Sequence, residues 1–323
     1  MRILKRFAVF VLFAAVLVWV LNTNLFLTVP KADVQLLSHR GVHQTHAQAP
    51  RDGSACTAEH LDPPTHDLIE NTIPSMRAAT SAGAKVIELD VHLTPDGVFA
   101  VFHDWTLECR TDGTGVTEKT PFSVLKTLDV GYGYTTDGIA YPLRGKGIGL
   151  MPTLTQVLDA DIGAQFLINF KSRNAGEGTA LAEVLADPAY RAQIWGVYGG
   201  SEPVKAAKVA IADLRGFDKR DIVQCLGRYM AMGWTGYVPA ACRNTIVGVP
   251  SDVAPFMWGW PHKFTRRMAD AGTHTILWGP YDGSGFSSGV DTAHTADQVP
   301  DGFMGYVWTN KIETIGPYLH TTP

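Results

Sequence analysis

From residue 34 onward, short runs rich in β-branched and aromatic residues alternate with helix-like stretches. This alternation is typical of βα units, in which helices join parallel strands. The pattern predicts eight strands, at residues 34–38, 86–92, 98–102, 165–170, 221–225, 245–249, 273–277 and 305–308. Because eight parallel strands can close on themselves, we predict an α/β fold of the (β/α)8 TIM-barrel type in a single domain.

Helices and long loops are predicted between these strands. Residues 74–83 are predicted to form a helix ended by glycine, and further helices are predicted at 153–160 and 179–185. Residues 42–68 and 282–301 are rich in proline, glycine or polar residues and are predicted to be loops. Loops of such length in a compact domain are often functional.

Residues 1–30 follow a different pattern. Arg2, Lys5 and Arg6 precede an uncharged apolar run at residues 7–21, which is typical of an export signal. The absence of a convincing small-residue cleavage site favours an uncleaved membrane anchor, with a cleaved signal peptide as the alternative. Residues 31–323 would then be a barrel on the periplasmic or extracytoplasmic side, or a secreted protein after cleavage.

Composition narrows the class of partner. The chain of 323 residues is 46% hydrophobic and carries a net charge of −4, which describes a globular protein with a substantial core. Lys and Arg are scattered and form no basic stripe of the kind that a phosphate backbone requires. Nucleic acid is therefore not an expected partner, and nothing in the sequence indicates a protein partner.

The four cysteines fit an exported domain, since they are even in number and form no CxxC metal pattern. We favour disulfides joining Cys56 to Cys109 and Cys225 to Cys242, because a barrel would bring the loops of each pair together. Free buried thiols are the alternative.

Acidic residues on one strand carry the first chemical signal. Glu88, Asp90 and His92 share a face of the predicted strand, because side chains alternate along a strand. Two carboxylates on the inward face of an apolar strand need a cation, since an unpaired buried charge is very costly. Oxygen ligands favour Mg²⁺ or Ca²⁺. A structural ion-pair network with Arg40 or Lys171 is the alternative.

Two histidines follow predicted strands and supply the second signal. His39 and His103 lie at strand ends, where a barrel carries its active site. Phosphodiester hydrolysis needs one group to accept a proton, one to donate a proton, and positive charge on the phosphoryl oxygens. Trp278 and Trp308, also at predicted strand ends, are candidate walls of the substrate pocket. The loop histidines, among them His43 and His46, are predicted to be bystanders.

An ordered series of motifs resembles the glycerophosphodiester phosphodiesterase family. The resemblance covers residues 36–171 closely and rests on His39-Arg-Gly, Glu70-Asn-Thr, Glu88-Leu-Asp-Val-His-Leu-Thr-Pro-Asp-Gly, Phe102-His-Asp, Arg110-Thr-Asp-Gly-Thr-Gly and Pro152-Thr-Leu. It implies a (β/α)8 barrel that hydrolyses glycerophosphodiesters, or a related lipid head-group phosphodiester, to glycerol phosphate and an alcohol. It also implies that His39 and His103 form the acid–base pair and that Glu88 and Asp90 bind a divalent metal. Arg40 and Lys171 would contact phosphate, with Glu70 lining the same site.

One position departs from the family pattern. The family usually has a metal-binding glutamate two residues before the lysine, and this chain has Asn169 before Lys171. An amide oxygen can still ligate a metal, but the site loses a negative charge and its metal affinity should fall. Two alternatives to the hydrolase therefore stay open: a phospholipase-D-like lyase that forms a cyclic phosphate, and a non-catalytic barrel that binds a phosphate or glycolipid.

Overall fold

The computed structural model describes residues 2–29, 34–46, 56–281, 283 and 288–321. Within these ranges nine strands form one sheet: β1 (Gln35–His39), β2 (Ala84–Leu93), β3 (Phe99–Val101), β4 (Gln165–Phe170), β5 (Ile194–Gly199), β6 (Gly216–Phe217), β7 (Ile246–Pro250), β8 (His274–Trp278) and β9 (Tyr306–Thr309).

Eight of these strands form a nearly closed parallel barrel. Their order is β6-β5-β4-β2-β1-β9-β8-β7, and each pairs in parallel with its neighbour. The two ends of the series meet where Thr245, directly before β7, donates its hydroxyl to the carbonyl of Gly216 in β6 at 2.9 Å. The predicted (β/α)8 TIM-type fold is therefore confirmed.

The α-helices of the described ranges surround this sheet or precede it. They are α1 (Arg2–Asn22), α2 (Ile73–Ser81), α3 (Phe122–Leu125), α4 (Leu154–Asp159), α5 (Ala175–Val184), α6 (Pro188–Gln193), α7 (Ser201–Ala210), α8 (Lys219–Met232), α9 (His262–Asp270), α10 (Ala293–Ala296) and α11 (Ile312–Thr321). Short 3-10 turns lie at Thr57–His60, Thr117–Lys119, Gly233–Thr235, Ala240–Cys242 and Ala254–Phe256. The three predicted helices correspond to α2, α4 and α5.

Two predictions of strand membership differ from the structure. Residues 221–225 lie in α8, because Asp218 and Asp221 form a capping box and Ile222, Cys225 and other apolar residues line one buried helix face. Residues 98–102 do contain a strand, but β3 pairs antiparallel with β2 and lies outside the barrel. The barrel strands β5 and β6 were not predicted.

The glycines of β5 obscured that strand in the sequence. Glycine is depleted in strand interiors, yet Gly196 is needed because a Cβ there would lie 2.4 Å from Cδ1 of Ile246. Gly199 has a φ of 114°, a conformation that side-chain-bearing residues rarely adopt. The two glycines therefore let β5 pass close to neighbouring residues in the barrel wall.

A second apolar cluster lies beside the barrel. It gathers residues of the 104–151 segment around Leu107, Leu125 and Leu143, together with Leu61 and Ile69. The described part of the predicted 42–68 loop thus packs against this segment. Residues 47–55 of that loop, and residues 282 and 284–287 of the second, lie outside the described residues.

The favoured cysteine pairing is confirmed. Cys56 and Cys109 form a disulfide with Cα atoms 5.4 Å apart, and Cys225 and Cys242 form another at 4.9 Å. The second bond joins α8 to a 3-10 turn, so only one of its ends lies in the kind of loop that the prediction assumed.

Helix α1 contains the apolar N-terminal run. It has 21 residues, none of them buried, and is long and apolar enough to cross a membrane. Its length is about 31 Å at 1.5 Å per residue, close to the roughly 30 Å of a bilayer core. The boundary between an anchor at 1–30 and a barrel at 31–323 falls at residues 30–33, outside the described residues, and stays a prediction.

Candidate active site

The His39-Arg40-Gly41 motif forms a sharp turn at the end of β1. Arg40 has a left-handed φ of 57°, and its backbone N–H donates to the carbonyl of Glu88 at 3.0 Å. Gly41 follows with a φ of 80°, and a Cβ there would lie 2.9 Å from the carbonyl carbon of Ser75. The turn therefore requires glycine and holds the Arg40 side chain at the carboxyl end of the barrel.

Asp90 is the most heavily contacted acid of the site. Its side chain is fully buried, and its carboxylate lies 3.0 Å from Nε of Arg40 and 3.4 Å from Nζ of Lys171. Amide groups of Asn71 and Asn169 donate to it at 3.0 and 2.8 Å. Burial alone would raise the pKa of Asp90, but Lys171 and Arg40 hold it well below its usual range. The ion-pair network considered from the sequence is thus present at this residue.

Glu88 is equally buried but lacks a comparable cation. The Tyr198 hydroxyl donates to one oxygen at 2.7 Å, and the other oxygen lies 3.2 Å from the Arg40 backbone nitrogen and 3.8 Å from Nε2 of His39. Within the described residues, no Lys or Arg side chain forms a salt bridge with it. Burial and the neighbouring charge of Asp90 raise the pKa of Glu88 to about 8.

Glu70 joins the two arginines of the site. Its carboxylate lies 3.1 Å from Nη1 of Arg40 and 3.5 Å from Nη2 of Arg110. Burial would raise the pKa of Glu70, but Arg110 and Arg40 lower it well below its usual range. Glu70 therefore positions the Arg40 guanidinium, and it lies in the site where the sequence placed it.

The orientation of His39 is fixed from a distant part of the chain. Asp291 accepts hydrogen bonds from the backbone nitrogen of Asn310 at 2.6 Å and from its side-chain Nδ2 at 2.7 Å. A carboxylate only accepts, so the amide oxygen of Asn310 must face His39, where it lies 2.6 Å from Nδ1. Nδ1 of His39 thus carries the proton. Burial, followed by the charge of Arg40, holds the pKa of His39 well below its usual value.

His103 is held by a carboxylate instead of an amide. Its Nδ1 lies 2.6 Å from Oδ1 of Asp104, and Arg110 donates to the same carboxylate. Burial and the charges of Arg40 and Lys171 lower the pKa of His103 to about 4, although the Asp104 hydrogen bond opposes this shift. His103 is neutral in the free site at neutral pH, in a setting where an added negative charge favours its protonation.

His43 belongs to the site, although it was predicted to be a loop bystander. Its side chain is buried, its ring centroid lies 5.6 Å from that of His39, and its Nδ1 donates to the Gln44 carbonyl at 2.7 Å. Its Nε2 is buried without a hydrogen-bond partner among the described residues. Burial lowers the pKa of His43, which keeps the ring neutral. No spacing rule marks this residue, because the loop that contains it has no periodic pattern.

Several other residues of the site also escaped prediction. Asp104 and Arg110 belong to family motifs, but the sequence did not indicate a role for either residue. Tyr198 lies on strand β5, which was not predicted. Asn310 directly follows β9, and this strand-end position was the available signal for it.

The two predicted tryptophans lie in different surroundings. Trp308 is buried with its ring centroid 5.0 Å from that of His39, so it packs against the catalytic candidate. Trp278 is buried over Gly248, where a Cβ would lie 1.9 Å from its ring, and beside Phe217. Their assignment as pocket walls stays a prediction.

Glu88 and Asp90 fit a divalent cation, while Asn169 fits it less well. Two buried carboxylates, one of them with a raised pKa and with no salt bridge to a Lys or Arg within the described residues, are the hard oxygen donors that Mg²⁺ or Ca²⁺ prefers. Asn169 presents its nitrogen to Asp90, while a Cβ at Gly199 would lie 2.5 Å from its amide oxygen. Within the described ranges, no group of three or more His, Cys, Asp or Glu side chains has metal-binding geometry.

Sequence comparisons show similarity to one enzyme family. The profile of the Glycerophosphoryl diester phosphodiesterase family matches residues 16–202. A glycerophosphodiester phosphodiesterase from Caldanaerobacter subterraneus is 34% identical over 105 residues, which are 32% of this chain and 40% of the relative. One from Bacillus subtilis is 39% identical over 93 residues, 28% of this chain and 31% of the relative. These matches span less than half of each relative's own length.

Solved structures extend the likeness in fold over most of the chain. The glycerophosphoryl diester phosphodiesterase domain of an uncharacterized Mycobacterium tuberculosis protein has a TM-score of 0.61 at 18% identity, covering 89% of this chain and 99% of that one. An Oleispira antarctica phosphodiesterase, solved with the product sn-glycerol-3-phosphate, has a TM-score of 0.53 at 18% identity, covering 90% and 98%. At such identities these structures show the fold alone.

The family match includes all six motifs on which the resemblance rests. It spans the His39-Arg40-Gly41 turn, the Glu88 and Asp90 strand, His103 and Lys171, and it covers more than half of the 323 residues. The chain belongs to the glycerophosphoryl diester phosphodiesterase family.

Proposed function

We propose that this protein hydrolyses glycerophosphodiesters, or a related lipid head-group phosphodiester, to glycerol phosphate and an alcohol, with a divalent metal and with His39 and His103 as the acid–base pair. The observation that carries the proposal is the contrast between the two histidines, since His39 is held by an amide and His103 by a carboxylate. A site that only binds phosphate has no need for two proton carriers held in different ways.

His39 is the general base of this mechanism. Because Nδ1 donates its proton to Asn310, the lone pair of Nε2 is available to accept a proton. Its depressed pKa keeps the ring neutral at physiological pH. Nε2 takes a proton from the attacking water as the water oxygen bonds to phosphorus.

His103 is the general acid. The Asp104 carboxylate stabilises an imidazolium, whereas Arg40 and Lys171 oppose it in the free site. The negative charge of a bound phosphodiester partly cancels the effect of those two cations on His103. Substrate binding therefore raises the pKa of His103 and favours its protonated form. His103 gives this proton to the alcohol oxygen as the bond between phosphorus and that oxygen breaks.

Positive charge for the phosphoryl oxygens comes from Arg40 and Lys171, which flank Asp90. Glu70 holds the Arg40 guanidinium toward the site. A divalent ion, Mg²⁺ or Ca²⁺, held by Glu88 and Asp90 with Asn169 as a third neighbour, would add charge stabilisation of the same oxygens. Trp308 and Trp278 are proposed to border the pocket.

We also propose that α1 anchors the enzyme in a membrane, with the barrel on the periplasmic or extracytoplasmic side. The 21-residue helix α1, which begins at Arg2, has no buried residue and is apolar enough to cross a membrane, supports the anchor, and two disulfides support an oxidising compartment. A cleaved signal peptide would instead release a secreted enzyme.

The test uses the full-length chain in detergent with glycerophosphocholine and glycerophosphoethanolamine. Activity is measured in EDTA and after Mg²⁺ or Ca²⁺ is restored, with phosphorus NMR of the products. Release of glycerol phosphate that depends on the metal is expected. If the product is a stable cyclic phosphate, the protein is a lyase and not a hydrolase. If neither the two diesters nor a lipid substrate is turned over, the protein only binds its ligand.

A further inference from the structure

The carboxyl end of α1 is fixed to the outside of the barrel. Nδ2 of Asn22 donates to the carbonyl of Trp234 at 2.8 Å. Two residues later, Nδ2 of Asn24 donates to the carbonyl of Trp260 at 2.6 Å, and its Oδ1 accepts from the backbone nitrogen of Lys263 at 3.1 Å. The carboxyl end of the apolar helix is therefore attached to a defined surface of the barrel.

Two basic side chains of α9 complete this junction. Nζ of Lys263 donates to the carbonyls of Val20 and Leu21 at 2.7 and 2.9 Å. Arg267 donates to the carbonyl of Leu21 at 2.9 Å and to Oδ1 of Asn22 at 3.1 Å. The last carbonyls of a helix lack partners within it and carry partial negative charge, so these cations both cap α1 and fix its direction.

Exposed aromatic and apolar side chains surround the junction. We call this surface the junction patch: it consists of Leu25 (75% exposed), Phe26 (72%), Met230 (41%), Trp234 (44%), Tyr237 (47%) and Trp258 (37%). The indole of Trp258 donates to the Met230 carbonyl at 2.8 Å, and Phe26 packs edge-on against Trp19 of α1 with ring centroids 6.2 Å apart. Trp and Tyr rings side by side with exposed apolar residues are the composition that proteins place at the membrane–water interface.

The charge of this part of the chain differs from that of the whole. Residues 219–270, from the start of α8 to the end of α9, contain seven Lys or Arg and three Asp, while the complete chain has a net charge of −4. Basic residues next to an apolar helix are attracted to anionic lipid head groups. A lipid surface therefore matches both the aromatic composition of the junction patch and the positive charge of the 219–270 segment, which contains four of the patch residues.

We propose that the junction patch is a membrane-contact surface, so that the barrel lies against the lipid head groups where α1 enters the bilayer. This inference rests on the proposed membrane anchoring by α1 and is independent of the proposed hydrolysis. The fixed junction makes the patch continuous with the anchor, because the residues that hold α1 lie between the patch residues Trp234 and Trp258 and the helix end. The consequence is a fixed orientation of the active site relative to the bilayer.

Tryptophan fluorescence in reconstituted full-length protein tests the proposal. Four of the eight tryptophans are at least 37% exposed: Trp19 in α1, Trp234 and Trp258 in the patch, and Trp105 beside His92. The protein is placed in vesicles of phosphatidylcholine and phosphatidylglycerol whose acyl chains carry bromine near the head group, which quenches indoles in contact with lipid. Trp19→Phe, Trp234→Phe and Trp258→Phe should each remove part of the quenching, and the matched control Trp105→Phe should not.

The variants separate the patch from the anchor. If Trp19→Phe lowers quenching while Trp234→Phe and Trp258→Phe leave it at the parent value, the anchor inserts but the barrel stands away from the bilayer, and the proposal is overturned. If none of the variants changes the quenching, α1 itself is not in lipid and both the anchor and the patch fail. Hydrolysis of glycerophosphodiesters is assayed separately, so a failure of the catalytic proposal leaves this test unaffected.

Discussion

At the scale of single residues, the two histidines differ in the group that receives the Nδ1 proton. Asn310, fixed by Asp291, leaves Nε2 of His39 as a proton acceptor. Asp104, fixed by Arg110, favours a charged His103. The same ring is thereby prepared for opposite tasks, and this difference can be measured with substrates that differ in their leaving group.

We predict that His103→Ala is rescued by a good leaving group and that His39→Ala is not. On glycerophosphocholine, each substitution should lower kcat by about 10²- to 10⁴-fold, the usual contribution of general acid or base catalysis. On a glycerophosphodiester with a nitrophenol leaving group, which departs without a proton, His103→Ala should recover most of its rate. Steady-state kinetics on both substrates provide the measurement. If His103→Ala lowers kcat by the same factor on both substrates, His103 is not the general acid.

Asn169 is the residue at which the chain departs from its family, and its isosteric acid is a direct test. Asn169→Asp adds a negative charge next to Asp90 without changing the shape of the side chain. We expect the affinity for Mg²⁺ or Ca²⁺ to rise by about tenfold or more, because charge count among oxygen ligands sets affinity. Titration calorimetry gives the dissociation constant, and Asn174→Asp, at the N-cap of α5, is the control that adds a charge elsewhere. An unchanged dissociation constant would exclude position 169 from the metal's surroundings.

At the scale of elements, the barrel strands that were predicted correctly are rich in β-branched and other apolar residues. β4 was predicted with its observed bounds, since four of its six residues are apolar and it is flanked by turns. β5 and β6 were missed because their glycines serve neighbours that are remote in sequence, as Gly196 does for Ile246. Residues 221–225 resemble a strand in sequence, but they lie in α8 because Asp218 caps the start of this helix before them.

The two disulfides should affect stability by similar amounts and activity by different amounts. They span sequence separations of 53 and 17 residues. Loop-closure entropy then predicts that Cys56→Ser/Cys109→Ser lowers the free energy of unfolding by about 4 kcal/mol and Cys225→Ser/Cys242→Ser by about 3 kcal/mol. Urea unfolding of both double variants measures these losses.

Activity distinguishes the two bonds more sharply. Cys56 and Cys109 directly adjoin Thr57 and Arg110, which hydrogen-bond each other at 2.5 Å, and Arg110 holds Asp104. Loss of this disulfide should lower kcat even under conditions where the variant is fully folded. Loss of the α8 disulfide should leave kcat unchanged, and equal effects of both variants on kcat would contradict the link through Arg110.

At the scale of the whole molecule, the candidate active site is assembled from residues between 39 and 310. Those in the first half of the chain were easier to predict from the sequence than those in the second half. The first half carries local motifs that suggest a mechanism, so the candidates His39, Glu88, Asp90 and His103 were predicted there. The supporting residues Tyr198, Asp291 and Asn310 lie in the second half, outside these motifs, and Tyr198 and Asn310 contact first-half residues only because barrel closure brings the strand ends together. Closure, a property of the complete fold, is what pairs them with the motifs.

Closure also buries Glu88 and Asp90 together, so the stability of the whole fold should depend on pH and on metal. The pKa of Glu88, about 8 in the folded protein, lies above its ordinary value of 4.5. The folded state therefore keeps a proton that the unfolded state loses, and the stability from this group is present below about pH 4.5 and is lost as the pH rises toward 8. A divalent ion held by Glu88, as proposed, would take the place of that proton, and it should bind best at pH values where the proton is lost.

We predict that a divalent metal raises Tm more at about pH 8 than at about pH 5. A ligand at a hundredfold excess over its dissociation constant adds about 2.7 kcal/mol to the free energy of unfolding, which calorimetry resolves readily. Scans in EDTA and in Mg²⁺ or Ca²⁺ at the two pH values measure the difference. Glu88→Gln, which cannot ionise, should remove most of the pH dependence and most of the metal response. The same rise in Tm at both pH values, or a full metal response in Glu88→Gln, would mean that the cation binds elsewhere in the barrel.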